Sequence, residues 1–428
     1  MTSTVPRRVA GAVLLAACAV ACLGAPAGAQ DEAGPAVGGR LRLPDGEPVE
    51  GVTLVVERDG EQVGSATSDP DGEWRVAVAE PGTYQVTIDV GTLPGGVSLR
   101  DPDRTTLERV RVRGGLKIAT FLLGEGAVTG SGRFERLADL AFDGLRLGLV
   151  LAVASLGLSL VFGVTGLTNF AHGELVTFGA LIAYLFSTSV VFGNVPLWLA
   201  GILATALGGV YGLAHERILF RPLRRRRAGN VALIVVTIGL SQFLRYLYLV
   251  VFGGSPRPYD EYTVQVDLDL GPISPRPKDL AVMLVGAAVL VAVAFLLQRS
   301  RLGTAMRAVS DSRDLSAASG IDVDRVILVT WVGCGALAAL GGVLLGVSET
   351  VSWDMGFTLL LLMFATVVLG GIGTGFGPMV GGLVIGLASQ LSTYWISPKF
   401  RVGVALAVLI GAVLVRPQGL LGRRERIG

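Results

Sequence analysis

Three polar side chains, Asn169, His172 and Glu174, stand at a break between two long apolar segments. No Asp, Glu, Lys or Arg occurs between Arg146 and Glu174, and none occurs between Glu174 and Glu216. Polar groups in a membrane segment are costly, which makes them candidates for function. An amide, an imidazole and a carboxylate can together bind a zwitterion or a polar amide, aided by the dipoles of helix ends. The structural alternative is that Asn169 bonds the backbone and Glu174 stabilises a helix N-terminus.

A second polar pair, Gln242 and Arg245, falls inside another apolar segment. A charged side chain in such a segment must face protein or water rather than lipid. We expect Gln242 to line a substrate path together with Asn169, His172 and Glu174. We interpret Arg245 as one partner of a structural ion pair.

Several kinds of chemistry are excluded by what the chain lacks. His172 and His215 are its only histidines, which excludes a multi-histidine metal site. The phosphate-binding loop Gly-x-x-x-x-Gly-Lys-Ser/Thr does not occur, so any ATP that drives the protein must bind to another chain. No pairing of a nucleophile with a base stands out. We therefore expect a protein that is not an enzyme and that holds no metal and no cofactor.

The elements that must position these residues are membrane spans. Apolar residues make up 51% of the 428 residues and charged ones only 16%, well below the soluble average of about 25%. Long apolar runs with few charges predict membrane helices. The candidate spans are about 144–165, 173–192, 197–216, 231–252, 279–298, 326–347, 357–374, 379–396 and 401–416. The sequence thus predicts an α-helical polytopic membrane protein of about nine spans, with a transmembrane domain at 140–420 and a cytoplasmic tail at 421–428.

Arginine clusters orient these spans, because loops rich in Lys and Arg stay in the cytoplasm. They follow the third, fifth and ninth candidate spans, and their members are Arg217, Arg221, Arg224–Arg227, Arg299, Arg301, Arg307, Arg313, Arg423, Arg424 and Arg426. Counting back from the first cluster places the start of the first span outside. We expect a multi-pass protein of the plasma membrane with its N-terminal domain extracytoplasmic and its C-terminus inside.

Residues 1–29 have the pattern of a secretory signal peptide. Arg7 and Arg8 form a basic region, residues 9–23 are apolar, and Ala27–Ala29 is a small-residue cleavage signal before Gln30. The stretch Leu-Ala-Ala-Cys that ends at residue 18 leaves a lipoprotein box as the alternative. Under either interpretation, the following domain is exported.

Residues 30–135 differ in kind, since apolar residues alternate with polar ones and turn dipeptides such as Asp71-Gly72 recur. Three clear strands are predicted at 53–57, 74–78 and 84–88, and about seven short strands indicate a small antiparallel β-sandwich. The turn geometry explains the Asp residues without ion binding. This region resembles carboxypeptidase regulatory-like domains, and the resemblance implies an interaction or spacer module.

The loop after the fifth candidate span, 299–325, predicts a short amphipathic helix. Leu302, Ala305, Met306 and Val309 recur at helical spacing, and Gly320 is expected to cap a helix C-terminus. Such a helix between two spans can dock on another protein. The alternative is a helix that lies on the lipid surface.

Four segments together carry a second resemblance. They are Gly163–Glu174, Arg301–Arg325, Leu369–Gly373 and Arg416–Leu420. As a set they resemble LivH-type branched-chain amino acid ABC transporter permeases, over about residues 140–428. The resemblance implies a second permease subunit, an extracytoplasmic substrate-binding protein, and ATP-binding subunits that couple through the cytoplasmic loop. The residues expected to carry that coupling are Gly303, Ala305, Met306, Arg307 and Gly320.

The expected function is therefore the membrane permease subunit of an ABC importer for branched-chain or related amino acids. Permeases for urea and short amides share much of this pattern, so these neutral solutes remain an alternative. An alternative of another class is a membrane-anchored extracytoplasmic binding module. Nine polar-interrupted spans exceed what an anchor needs and favour transport.

Overall fold

The structure is a computed structural model that describes residues 36–41, 43, 47–58, 60–80, 82–95, 97, 99, 105–112, 116–119, 121, 123, 133–188, 195–259, 268 and 270–422. These residues form two compact units, divided between Arg133 and Phe134. The predicted signal peptide at 1–29 and the three tail arginines at 423, 424 and 426 lie outside the described residues.

The described part of the first unit contains seven strands. They are β1 (Ala36–Arg40), β2 (Thr53–Arg58), β3 (Glu61–Thr67), β4 (Glu73–Ala77), β5 (Gly82–Ile88), β6 (Thr106–Val112) and β7 (Leu116–Ile118). One sheet has the order β4-β1-β7 and the other the order β3-β2-β5-β6. Alternation decides which side chains enter the shared core: Trp74 and Val76 of β4 are buried, whereas their neighbours are exposed. The predicted sandwich is confirmed, except that β1 and β7 pair in parallel.

The described part of the second unit is helical. Its helices are α1 (Arg133–Thr165), α2 (His172–Thr188), α3 (Leu197–Ala214), α4 (Arg221–Arg225), α5 (Asn230–Phe252), α6 (Pro277–Arg299), α7 (Arg301–Asp311), α8 (Arg313–Ala318), α9 (Val323–Ser348), α10 (Met355–Gly370), α11 (Gly377–Leu391) and α12 (Arg401–Val415). A π-helical segment, His215–Phe220, joins α3 to α4.

Six helices of this unit are long and apolar enough to cross a membrane. They are α1, α3 with its extension to Arg225, α5, α6, α9, and α12 with the turn that precedes it. The remaining apolar helices are shorter: α2 has 17 residues, α10 has 16 and α11 has 15. The predicted count of nine full spans is not confirmed, because the described residues contain six full-length helices and three short ones.

Glycines set the closest helix contacts in this unit. A Cβ atom on Gly386 of α11 would lie 2.4 Å from the Cα atom of Gly148 in α1. A Cβ atom on Gly342 of α9 would lie 1.9 Å from the carbonyl oxygen of Val176 in α2. Such distances leave no room for a side chain, so small residues let the backbones touch, as expected for helices packed in lipid.

Candidate functional site at a half-helix junction

The start of α2 lies in the middle of the helical unit. The His172 Nε2 atom lies 2.8 Å from the carbonyl oxygen of Ala154, and the Cys334 sulfur lies 3.6 Å from His172 Nδ1. Ser241 donates a 3.0 Å hydrogen bond to Glu174. Ala154, Cys334 and Ser241 each fall near the middle of the apolar part of a long helix. The α2 helix therefore begins about halfway across the bundle, not at its edge.

A non-helical segment, 166–171, returns the chain to this depth after α1 ends. It begins at Gly166, whose φ of +66° is a left-handed conformation that glycine adopts without strain. The Asn169 carboxamide oxygen accepts a 3.0 Å hydrogen bond from the Ala171 N–H, which is the local backbone role that the sequence left open. The Asn169 Nδ2 atom is buried and has no partner among the described residues.

A second helix, α10, begins at the same place. The Gly356 N–H donates a 3.0 Å hydrogen bond to Thr177 Oγ1, and a Cβ atom on Gly356 would lie 1.9 Å from the Gly173 carbonyl oxygen. From this contact, α2 runs beside α9 towards the end of that helix, whereas α10 runs towards the end of α1. Two short helices thus meet at their N-termini, which carry the positive ends of their dipoles. We call this place the half-helix junction (residues 169–174 and 354–357).

The α2 helix contributes one charged side chain to the junction, Glu174. Its side chain is fully buried, and Oε1 accepts the hydrogen bond from Ser241. Its Oε2 atom has no hydrogen-bond partner among the described residues, and no ion pair there reaches it. A buried carboxylate with one unsatisfied oxygen is costly, so this atom marks a place where a ligand can be held.

His172 turns away from Glu174 and into the contact between α1 and α9. A carbonyl oxygen can only accept, so the 2.8 Å contact makes Nε2–H the donor to Ala154 and leaves Nδ1 as the acceptor. The Cys334 thiol faces that second nitrogen. The structure places His172 behind the junction, and its predicted role in lining the path stays a prediction.

Gln242 and Arg245 lie on α5, next to the start of α10. The Arg245 guanidinium donates a hydrogen bond to the Gln242 side-chain oxygen and lies 3.9 Å from the centre of the Phe357 ring. The interpretation of Arg245 as half of an ion pair was wrong, because no carboxylate in the described part of the chain lies within ion-pair distance of it. The arginine is instead held by an amide and an aromatic ring.

The family model described as the branched-chain amino acid transport system permease component matches residues 140–413, well over half of the chain. The chain belongs to the branched-chain amino acid transport permease family. The high-affinity branched-chain amino acid transport system permease protein LivH of Escherichia coli K12 is 32% identical over 295 residues, which cover 66% of this chain and 95% of LivH. The corresponding permease protein BraD of Pseudomonas aeruginosa is 30% identical over 66% of this chain and 95% of its own.

The ribose import permease protein RbsC of Escherichia coli K12 is more distant, at 26% identity over 64% of this chain and 84% of its own. No solved structure gives a significant match. A model of the carboxypeptidase regulatory-like domain matches residues 36–111, in agreement with the β-sandwich. The permease match begins only at residue 140, so this family member carries an additional N-terminal domain.

The segment that joins α6 to α9 of this permease contains the predicted amphipathic helix, α7. Met306 and Val309 are buried in the core of the helical unit, so the apolar stripe packs inward. Gly303 lies against the α6 backbone, where a Cβ atom would come within 2.1 Å of the Leu297 carbonyl oxygen. Arg307 donates a hydrogen bond to that same oxygen. The segment is thereby fastened to the end of α6, and its polar face points outward.

The following helix, α8, is fastened to the end of α1. The Arg313 Nε atom donates a 2.9 Å hydrogen bond to the Val164 carbonyl oxygen, two residues before Gly166. Burial lowers the pKa of the Arg313 guanidinium, and the charge of Arg224 adds to that effect. Gly320, with φ of +85°, ends α8 as predicted. The sequence assigned Arg313 only to an orienting cluster, and its contact with α1 was missed.

Proposed function

We propose that this chain is the membrane permease subunit of an ABC importer for branched-chain or related amino acids. The observation that carries the proposal is the half-helix junction, where two helix N-termini meet at a buried glutamate with one oxygen that no described residue bonds. Discontinuous helices that meet near the middle of a membrane are a common way to build a transport site. The names of the relatives LivH and BraD support amino acids as the substrate.

We place the substrate path along the junction and the neighbouring face of α5. Asn169 Nδ2 and Glu174 Oε2 are polar atoms without a partner among the described residues, and Gln242 lies exposed on α5. His172 belongs to this proposal as the residue that fixes the start of α2 against α1. An exposed amide in the middle of a membrane helix needs a protein or aqueous neighbour. This supports a second permease subunit that covers α5 and closes the path.

ATP-binding subunits are proposed to act on the segment 299–325. Gly303 and Arg307 fasten it to α6, and Arg313 fastens it to α1. Ala305 and Met306 contribute from the inward face of α7, and Gly320 ends α8 so that the chain can enter α9. A displacement of this segment would therefore be passed to the residues that lead into the junction.

We place the β-sandwich outside the cell, where a substrate-binding protein would deliver the ligand. The arginine clusters support this orientation. A cysteine introduced at exposed Gly60 should react with an impermeant reagent in intact cells. Labelling only after permeabilisation would contradict the orientation.

Measurements of solute uptake in cells distinguish between the candidate substrate classes. We expect cells that carry the complete transport system to accumulate radiolabelled leucine, isoleucine or valine, and to lose that uptake when this chain is deleted. Uptake of urea or acetamide in place of these amino acids would favour the neutral-solute alternative. If the inserted protein supports uptake of neither kind of solute, the result would contradict a role as an importer of either class.

A further inference from the structure

We infer that Glu174 and Arg245 bind the two charged ends of a zwitterionic amino acid. The carboxylate of Glu174 takes the ammonium group, and the guanidinium of Arg245 takes the carboxylate. This inference rests on the proposed function, because it names how that site recognises its substrate.

The position of Arg245 follows from α5. Ser241 and Arg245 are four residues apart, so they lie on one face of the helix and about one turn, roughly 5.4 Å, apart along its axis. Ser241 is the residue that bonds Glu174. Arg245 therefore lies about one turn along α5 from the residue that bonds the glutamate.

Both charged groups have an unfilled bonding position. Glu174 Oε2 and Arg245 Nε are each buried atoms without a hydrogen-bond partner among the described residues. Over that same part of the chain, no ion pair joins the two side chains. A fully buried carboxylate and a half-buried guanidinium inside membrane helices are each costly when unpaired. A ligand that carries both an ammonium and a carboxylate group would satisfy both at once.

The arginine is already oriented for a carboxylate. Its guanidinium is held against the Phe357 ring and hydrogen-bonded to Gln242, which restricts its rotation. A fixed planar guanidinium binds a carboxylate through two parallel hydrogen bonds, and a flexible ammonium does not. The nearby N-terminus of α10 adds positive potential.

The charge pair distinguishes between the substrate classes that the sequence left open. Urea and short amides are neutral, and binding them would leave a buried carboxylate and a guanidinium uncompensated. A zwitterion compensates both. The two residues thus favour an amino acid as the solute of this permease.

The first test measures leucine uptake by the complete transporter in cells, expressed as maximal rate per inserted copy of this chain. The variants are Glu174→Gln, Arg245→Gln, the double variant and Arg245→Lys. The control is Arg401→Gln, which removes a guanidinium 3.9 Å from Glu349 in an ion pair of the same domain. We expect each neutral variant to lose about tenfold or more of the rate, and the control to stay within about twofold.

The double variant separates ligand binding from structural pairing. If the two charges only stabilise each other, removing both should restore the parental rate, because no unpaired charge remains. If they bind the zwitterion, the double variant stays at least as slow as either single variant, and Arg245→Lys recovers part of the rate. Parental rates in the double variant or in both single variants would overturn the inference. Absence of leucine uptake by the parent would instead contradict the proposed function.

A second measurement does not depend on the folding of variants. The purified parental complex, without its binding protein, is heated in the presence of leucine, leucinamide or 4-methylpentanoate. Leucinamide lacks the carboxylate and 4-methylpentanoate lacks the ammonium group. A ligand that binds the native state raises the unfolding temperature. We expect leucine to raise the unfolding temperature more than either analogue does. Equal stabilisation by leucinamide, which has no carboxylate, would contradict the role of Arg245.

Discussion

Two buried glutamates of the helical unit are held in opposite ways. Glu216, 1% exposed, lies in the π-helical segment and accepts hydrogen bonds from both terminal nitrogens of Arg224. Glu174, fully buried at the half-helix junction, accepts one hydrogen bond from Ser241 and keeps an oxygen without a partner among the described residues. Burial is the same, and only the degree of satisfaction differs.

The difference teaches how to separate structural from functional charges in this protein. A carboxylate that is paired bidentately by a residue eight positions along the chain ties the π-helical segment to α4, and it needs nothing more. A carboxylate that is left half-satisfied has a cost that the fold does not compensate, and such groups are found at binding sites. The predictions below test this division.

The largest expected effect is on Glu216. Arg224→Gln leaves its carboxylate buried and unpaired, which should cost about 3–5 kcal/mol of stability and lower the amount of inserted protein. Thermal unfolding of the purified protein measures the loss. Arg225→Gln is the matched control, since Arg225 is 69% exposed and lies 3.9 Å from Asp324. Equal stability of the two variants would contradict a structural role for the pair of Glu216 and Arg224.

The second prediction compares the same substitution at both glutamates. Glu216→Gln should lose about 1–3 kcal/mol of stability, because it breaks a charge-assisted pair and leaves Arg224 unpaired. Glu174→Gln should lose none, because it removes a charge that the protein does not compensate. Unfolding temperatures measured without substrate check the difference. A loss at Glu174 as large as that at Glu216 would show that the two carboxylates are both structural.

Much of this architecture was readable from local patterns. Apolar runs predicted the long helices, spacing predicted α7, and the glycine at 320 predicted the end of α8. The polar break at 169–174 was readable, but its meeting with the start of α10 was not, because it depends on contact between residues as far apart as Thr177 and Gly356, separated by 179 positions. The role of Arg245 was missed for the same reason, since Phe357 holds it from another helix.

A smaller effect is expected at Arg313, which connects segment 299–325 to the end of α1. Arg313 bonds the end of α1, and Arg224 of α4 acts on it electrostatically. Arg313→Gln should lower leucine uptake roughly threefold or more while ATP hydrolysis by the complex changes little, because the movement of the segment no longer reaches α1. Substitution of Arg416, an exposed arginine outside segment 299–325, by Gln is the control. An equal fall in uptake and hydrolysis would indicate general damage rather than lost coupling.

The smallest effect is expected at His172, the third buried polar group of this comparison. Both of its ring nitrogens face partners, Ala154 and Cys334, so it resembles Glu216 more than Glu174. His172→Gln should therefore cost about 1 kcal/mol of stability and change maximal leucine uptake by no more than about twofold, because an amide can still donate to a carbonyl oxygen. Uptake measured from pH 5.5 to 8 is the deciding observation, since an imidazole in contact with the path would change its charge near pH 6.5. If the parent shows such a pH dependence and His172→Gln abolishes it, the imidazole lines the path itself. Satisfaction of hydrogen bonds would then not suffice to tell a structural group from a functional one in this permease.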